Sequence, residues 1–136
     1  MIDYAAVLKE NPNGVLATQD GSKVKTRVFQ YLFTDGNKVY FCTSSKKPVY
    51  EQMKANPNVS FCTYPTDFTP VVSVIGKAVF VNDLSLKTRA LDENPSIKGL
   101  YNTPDNPVFE LFYIDVDEVE TFSFTDGPKT YTFISN

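Results

Sequence analysis

Lys25, Arg27 and Phe29 stand at every second position of the run Lys23 to Phe33. In an extended chain alternate side chains share a face, roughly 7 Å apart. A strand here therefore sets two cations beside an aromatic surface. Charge on a face that is being buried is costly unless an anion meets it; the competing reading is a face left in water. A second cluster is Thr43-Ser44-Ser45-Lys46-Lys47-Pro48, where a β-branched run ends and Pro48 suits a first helical turn. Helix N-termini carry partial positive charge and free N–H groups, so two lysines there are in local conflict. A dianionic phosphate held by those N–H groups, the hydroxyls of Thr43, Ser44 and Ser45, and the ammoniums of Lys46 and Lys47 relieves it. The alternative is that both lysines extend into water. Asp35-Gly36-Asn37 reads as the hairpin joining the two strands, which would bring Arg27 and Thr43 close across the ladder. That convergence favours a phosphate site. No Gly-x-Gly-x-x-Gly or Walker sequence is present, so the site is neither a Rossmann nor a P-loop cradle.

The composition narrows the chemistry further. The chain has 136 residues, 42% hydrophobic and 14% aromatic, enough for one domain, 1–136, with a continuous core. It has no histidine and no Cys-x-x-Cys, which argues against a zinc site and against Ser-His or Cys-His catalysis. Chemistry would then come from a cofactor. Cys42 and Cys62, each in a Phe-Cys-Thr triplet, read as packed, reduced core thiols. The net charge of −3 disfavours nucleic acid as a partner. Its distribution is uneven: Lys23 to Lys54 carries seven basic and two acidic residues, so the rest of the chain is strongly acidic. No apolar run approaches the roughly 18–20 residues that cross a bilayer, and the first ten residues lack signal-peptide character, so a soluble cytoplasmic protein is expected.

The elements that would position these residues are short. Ile2 to Glu10 reads as a helix with Tyr4, Val7 and Leu8 on one face, stopped by Asn11-Pro12-Asn13-Gly14. Val15 to Thr18, Lys23 to Phe33 and Lys38 to Thr43 read as a three-stranded meander with Asp-Gly turns. A helix Pro48 to Asn56 should bury Val49 and Met53. Strands Val59 to Tyr64 and Val71 to Val81 follow, with a bulge expected at Gly76. Asn82 or Asp83 caps a helix Leu84 to Glu93 with Leu84 and Leu91 inward, and Asn94-Pro95 stops it. Lys98 to Val108 reads as a long connection, Glu110 to Phe124 as a strand, and Thr130 to Ile134 as the last strand. Hairpin joints between about seven strands indicate a barrel or sandwich, with three short helices.

Three stretches, VKTRVFQ from Val24, VYFCTSSKKPVYEQMKANPNVSF from Val39, and VSVIGKAVF from Val72, resemble the successive FMN-site elements of the pyridoxamine 5'-phosphate oxidase-like flavoproteins. KGLYN and FELFYIDVDEVETFSF are similar to the short single-domain members, so the resemblance spans nearly the whole chain. It implies a mainly β (β+α) fold, a six- to seven-stranded antiparallel split β-barrel with about three short flanking helices. It further implies a homodimer with FMN at the interface. In the implied site Arg27 grips the flavin phosphate with Lys25 on the same face, and Thr43 lies beside it with Ser44 and Ser45. Lys46 or Lys47 is the basic residue at the helix start, and Gln52 is the polar helix residue. Val28, Phe29 and Gln30 run along the isoalloxazine ring.

The departures from the family pattern bear on activity. Leu32 stands where the oxidase proper has a lysine for its substrate phosphate, and the oxidase's C-terminal arginine and histidine pair has no counterpart in a chain without histidine. Val71 stands where many members carry glutamine or tryptophan. The resemblance therefore implies an FMN-dependent oxidoreductase of unassigned substrate, with NADH or NADPH as candidate electron donors, and not a pyridoxamine phosphate oxidase. The alternatives are a non-catalytic flavin-binding or sensing protein, or the same fold holding haem or a deazaflavin.

Overall fold

The structure, a computed structural model, describes residues 3–133. Helix α1 (Tyr4–Glu10) leads into strands β1 (Asn13–Asp20), β2 (Lys23–Gln30), β3 (Phe33–Asp35) and β4 (Lys38–Ser44). Helix α2 (Pro48–Ala55), β5 (Asn58–Thr63) and β6 (Val71–Val81) follow, then α3 (Leu84–Asp92), α4 (Pro95–Tyr101), β7 (Phe109–Ser123) and β8 (Gly127–Thr132). All pairings are antiparallel, in the order β2-β1-β5-β6-β7-β4-β3 with β8 on β7, so β2 and β3 end the path and the sheet does not close. This is the mainly β, split-barrel-like architecture expected, with eight strands and four helices among the described residues.

The expected three-stranded meander does not form. Lys23 to Phe33 is broken after Gln30, and Gly36 turns β3, not β2, into β4. β2 pairs with β1 alone, and β4 pairs with β3 and β7. Arg27 and Thr43 are therefore not ladder neighbours. Packing joins their strands instead: Phe29 of β2 meets Phe41 of β4 and Phe112 of β7 at ring-centroid distances of 6.2 and 5.8 Å, both edge-on. Offset and edge-on aromatic contacts of this kind hold sheets together where hydrogen bonds do not reach.

Alternation divides the apolar residues between two cores. Phe29, Phe41, Phe61, Phe112 and Val74 fill the barrel interior, joined by Tyr4 and Leu8 of α1 and by Val49 and Met53 of α2. Tyr40, Leu111 and Phe109 point outward beneath Ala90, Leu91, Ile97 and Tyr101 of α3 and α4. Asp83, not Asn82, caps α3 by accepting from the Ser85 and Leu86 N–H groups at 2.9 and 3.2 Å. Leu84 is 59% exposed, contrary to expectation, and Lys87, Ala90 and Leu91 are the buried set. The expected last strand begins earlier, at Gly127, and Ile2 and Ile134 lie outside the described residues.

A register shift falls between Ile75 and Gly76 where β6 crosses β7. A Cβ at Gly76 would stand 2.0 Å from the Asp115 carbonyl oxygen and 2.8 Å from its carbon, both backbone atoms of the partner strand. Gly76→Ala should therefore force the ladder apart and cost roughly 1–3 kcal/mol or more, as overpacking does. A lowered urea midpoint is the measurement. Among the described residues, no helix is long and apolar enough to cross a membrane.

Candidate functional site

Arg27 sits on β2 opposite Leu16, with its side chain on the barrel face and its guanidinium under α2. Nη1 donates to the Thr18 hydroxyl at 2.7 Å, and Nη2 donates to Gln52 Oε1 at 2.8 Å. The Thr18 hydroxyl in turn donates to the same Oε1 at 2.7 Å, closing a triangle of polar groups. Longer bonds from Nη1 reach the Leu16 and Lys25 carbonyls, each at 3.3 Å. Thr18 and Gln52 are buried, so the triangle holds the planar fork in one orientation. Burial pulls the Arg27 pKa down from its ordinary value, the sign of a cation short of compensating charge. Among the described residues the ion pairs are Lys25–Asp20, Arg89–Glu93 and Lys98–Asp92, so no carboxylate meets Arg27.

Arg27 lines a cavity of about 460 Å³ with Lys25, Thr26, Lys47, Pro48, Val49 and Gln52. Its charge-bearing walls are cationic. Lys25 reaches it while paired to Asp20 at 2.7 Å, a half-exposed pair that an incoming anion can compete for. Of the two lysines at the helix start, Lys47 lines this cavity. Lys46 is exposed and does not line it; its N–H is taken by the Ser44 hydroxyl at 3.2 Å. Ser45 ties its N–H to the Val108 carbonyl at 2.9 Å, and neither serine lines the cavity. Thr43 is 1% exposed, and its Oγ1 is the one buried side-chain polar atom without a hydrogen-bond partner among the described residues. An orphaned buried hydroxyl costs about 1–3 kcal/mol. Thr43 does not line the cavity, so the donor set there that fits a phosphate is the fork-shaped Arg27 cation lacking a carboxylate, with Lys25 and Lys47 beside it.

Lys47 also lines a second cavity of about 140 Å³, with Val28, Phe29, Gln30, Cys42, Ile97, Leu100 and Tyr101. The expected ring segment Val28 to Gln30 thus faces an apolar cleft that continues from the cationic one. Helix α4 walls it, and its second half falls in the stretch from Lys98 expected to be a connection. Asn94-Pro95 suits a helix stop, but proline at a first helical position is equally a start signal, and Pro95 occupies that position. Gln30 Nε2 donates to Asn94 Oδ1 at 3.1 Å, tying β2 to this helix pair. Thr18, Thr26 and Leu100 carry no local sequence signal for these places, because their roles depend on which elements meet.

Both cysteines are free and half-buried. Cys42 packs beside the helix-covered core, where burial pushes its thiol up to about 12 against a small opposing effect of Lys47. At pH 8 only about one Cys42 in ten thousand would then be thiolate, the reactive form. Cys42 should be alkylated by iodoacetamide far more slowly in the folded protein than in urea, which peptide mapping after timed labelling will show. Cys62 also faces away from the barrel interior, between Val15 and Ser73 in register, but it belongs to neither core.

Solved structures share this fold. A NimC/NimA family protein from Clostridium acetobutylicum is 25% identical, with a TM-score of 0.84 over 96% of this chain and 91% of that one. A heme binding protein from Mycobacterium smegmatis is 17% identical, with a TM-score of 0.76 over 93% of this chain and 55% of that one. An FAD-binding protein from Mesorhizobium loti is 21% identical, with a TM-score of 0.68 over 95% and 92% of the two chains. No curated protein matches the sequence. The pattern that defines pyridoxamine 5'-phosphate oxidase matches residues 2–123, most of the sequence and every element of the two cavities, and the chain belongs to that family.

Proposed function

We propose that this protein binds FMN, with the phosphate in the cationic cavity against Arg27, Lys47 and Lys25 and the ring along Val28, Phe29 and Gln30. The observation that carries this reading is the Arg27 guanidinium, fixed by Thr18 and Gln52 at 2.7 and 2.8 Å and left without a carboxylate among the described residues. Thr43 Oγ1 has no hydrogen-bond partner among the described residues, but the residue lines neither cavity. The flavin, when bound, supplies hydride and single-electron transfer. The chain's own part is to hold the phosphate, orient the ring against β2 and keep water from one side of it. The activity that follows is that of an FMN-dependent oxidoreductase using NADH or NADPH.

The assembly proposed is a homodimer. Val28, Val15, Cys62, Ser73 and Glu120 stand in one row across five strands, on the sheet surface that faces away from the barrel core. Val24, Val28 and Phe124 there are 70%, 72% and 76% exposed, an apolar surface that a second copy would cover. Haem is the weaker cofactor. Without histidine its iron would need a cysteine, methionine or tyrosine, and Cys42, the cysteine at the second cavity, is held protonated.

The test is a titration of apo protein with FMN and with riboflavin. FMN should bind and riboflavin, lacking the phosphate, should bind much more weakly; equal affinities would remove the phosphate site from the argument. Reduction of the bound flavin by NADH or NADPH, followed by reoxidation, separates an oxidoreductase from a non-catalytic flavin-binding or sensing protein.

A further inference from the structure

The cationic cavity opens onto a third, larger one. Pro48 and Gln52 line both, and the third cavity, about 600 Å³, continues between the β1–β2 turn and α2 past Asp20, Glu51 and Asn56. Its volume falls within the roughly 300–1,000 Å³ of ordinary small-ligand sites. The charge reverses along this path. Lys25, Arg27 and Lys47 line the first cavity and no carboxylate does, whereas Asp20 and Glu51 line the third and no cation does. The ion pair of Lys25 with Asp20, at 2.7 Å, bridges the two, and it holds the Asp20 carboxyl below its ordinary range, so that this group is an anion throughout the neutral region.

We propose that Asp20 and Glu51 are specificity determinants that make this a site for a terminal phosphate, selecting a flavin mononucleotide against a dinucleotide whose second phosphate follows the first. The inference rests on the FMN reading and deepens it. A chain continuing beyond the bound phosphate has room in the third cavity, so bulk alone does not exclude it. A second phosphate entering there meets two carboxylates and no unpaired cation, and like charges at close range repel. The selection is therefore electrostatic.

The experiment compares FMN and FAD binding to the apo protein by flavin fluorescence, in the wild type and in the double variant Asp20→Asn with Glu51→Gln. Wild type should bind FMN at least tenfold more tightly than FAD. The double variant should narrow that ratio by about tenfold or more, mainly by improving FAD. Raising the salt to about 1 M should narrow it in the wild type as well, because screening acts within a few ångströms there. Both side chains are exposed, so the variant should fold, and retained FMN binding verifies that it has. Equal affinities of the wild type for FMN and FAD overturn the inference and leave the FMN site standing. A ratio unmoved by neutralisation and by salt also overturns it, since the selection would then be steric. Failure of wild type to bind FMN at all removes the functional reading itself.

Discussion

Arg27→Ala is expected to weaken FMN binding by roughly 10- to 150-fold, the 1.5–3 kcal/mol typical of a hydrogen bond to a charged group. The substitution removes a guanidinium whose orientation is set before any ligand arrives, by Thr18 and Gln52 at 2.7 and 2.8 Å. A preset fork loses little freedom on binding, so most of its interaction energy reaches the measured affinity. Arg27→Lys keeps the charge but not the paired donors, and should recover only part of the loss. Riboflavin affinity should hardly change in either variant, since Arg27 acts on the phosphate. The Thr18 to Gln52 hydrogen bond, 2.7 Å, survives the change and keeps α2 on β1, so the comparison reads binding and not unfolding. Equal FMN affinity in Arg27→Ala and wild type, by fluorescence titration, would place the phosphate elsewhere.

Phe41→Ala should cost about 3–5 kcal/mol of stability, the usual loss for a fully buried aromatic. Phe41 has no solvent exposure and meets three rings: Phe61 at 4.7 Å, Phe112 at 5.6 Å and Phe29 at 6.2 Å. The third contact makes the residue more than filling. Among the described residues β2 pairs with β1 alone, so Phe29 against Phe41 and Phe112 holds that strand to the opposite side of the barrel. Domains of this size are stable by roughly 5–15 kcal/mol, so the variant should melt about 10 °C or more below the wild type. Val24→Ala, at a 70% exposed position, should stay within about 0.5 kcal/mol of it. The same cavity would loosen Arg27 relative to Lys47, so FMN affinity should fall in Phe41→Ala although no ligand contact has been touched.

Much of the site was legible because alternation is a local property. The pattern Lys25, Arg27, Phe29 places three side chains on one face wherever the strand ends up, and two of them line the cationic cavity while the third packs in the barrel. Pro48 at a helix start likewise placed Lys47 at the N-cap of α2 and Gln52 within the helix. The choice between Lys46 and Lys47 was not legible, because adjacent residues at a helix entry point in directions set by the entry angle. Ser44 and Ser45 looked like phosphate donors, but local bonds to the Lys46 N–H and the Val108 carbonyl decide where that loop runs. Helix α4 was half hidden because Asn94-Pro95 is compatible with both an end and a beginning.

From its residues alone this chain is set as a mainly β protein: the period-2 runs and the Asp-Gly turns act within a few residues. Which strands become neighbours was left to the tertiary structure. A two-residue interruption after Gln30 sends β3 and β4 to the far end of the sheet path, and hairpin signals do not encode that distance. The meeting of Arg27 with Thr18 and Gln52, and the change from cationic to acidic lining across Pro48, exist only once burial of the phenylalanines closes the barrel. Long-range packing is a sum over many weak contacts, and no short stretch of sequence carries it.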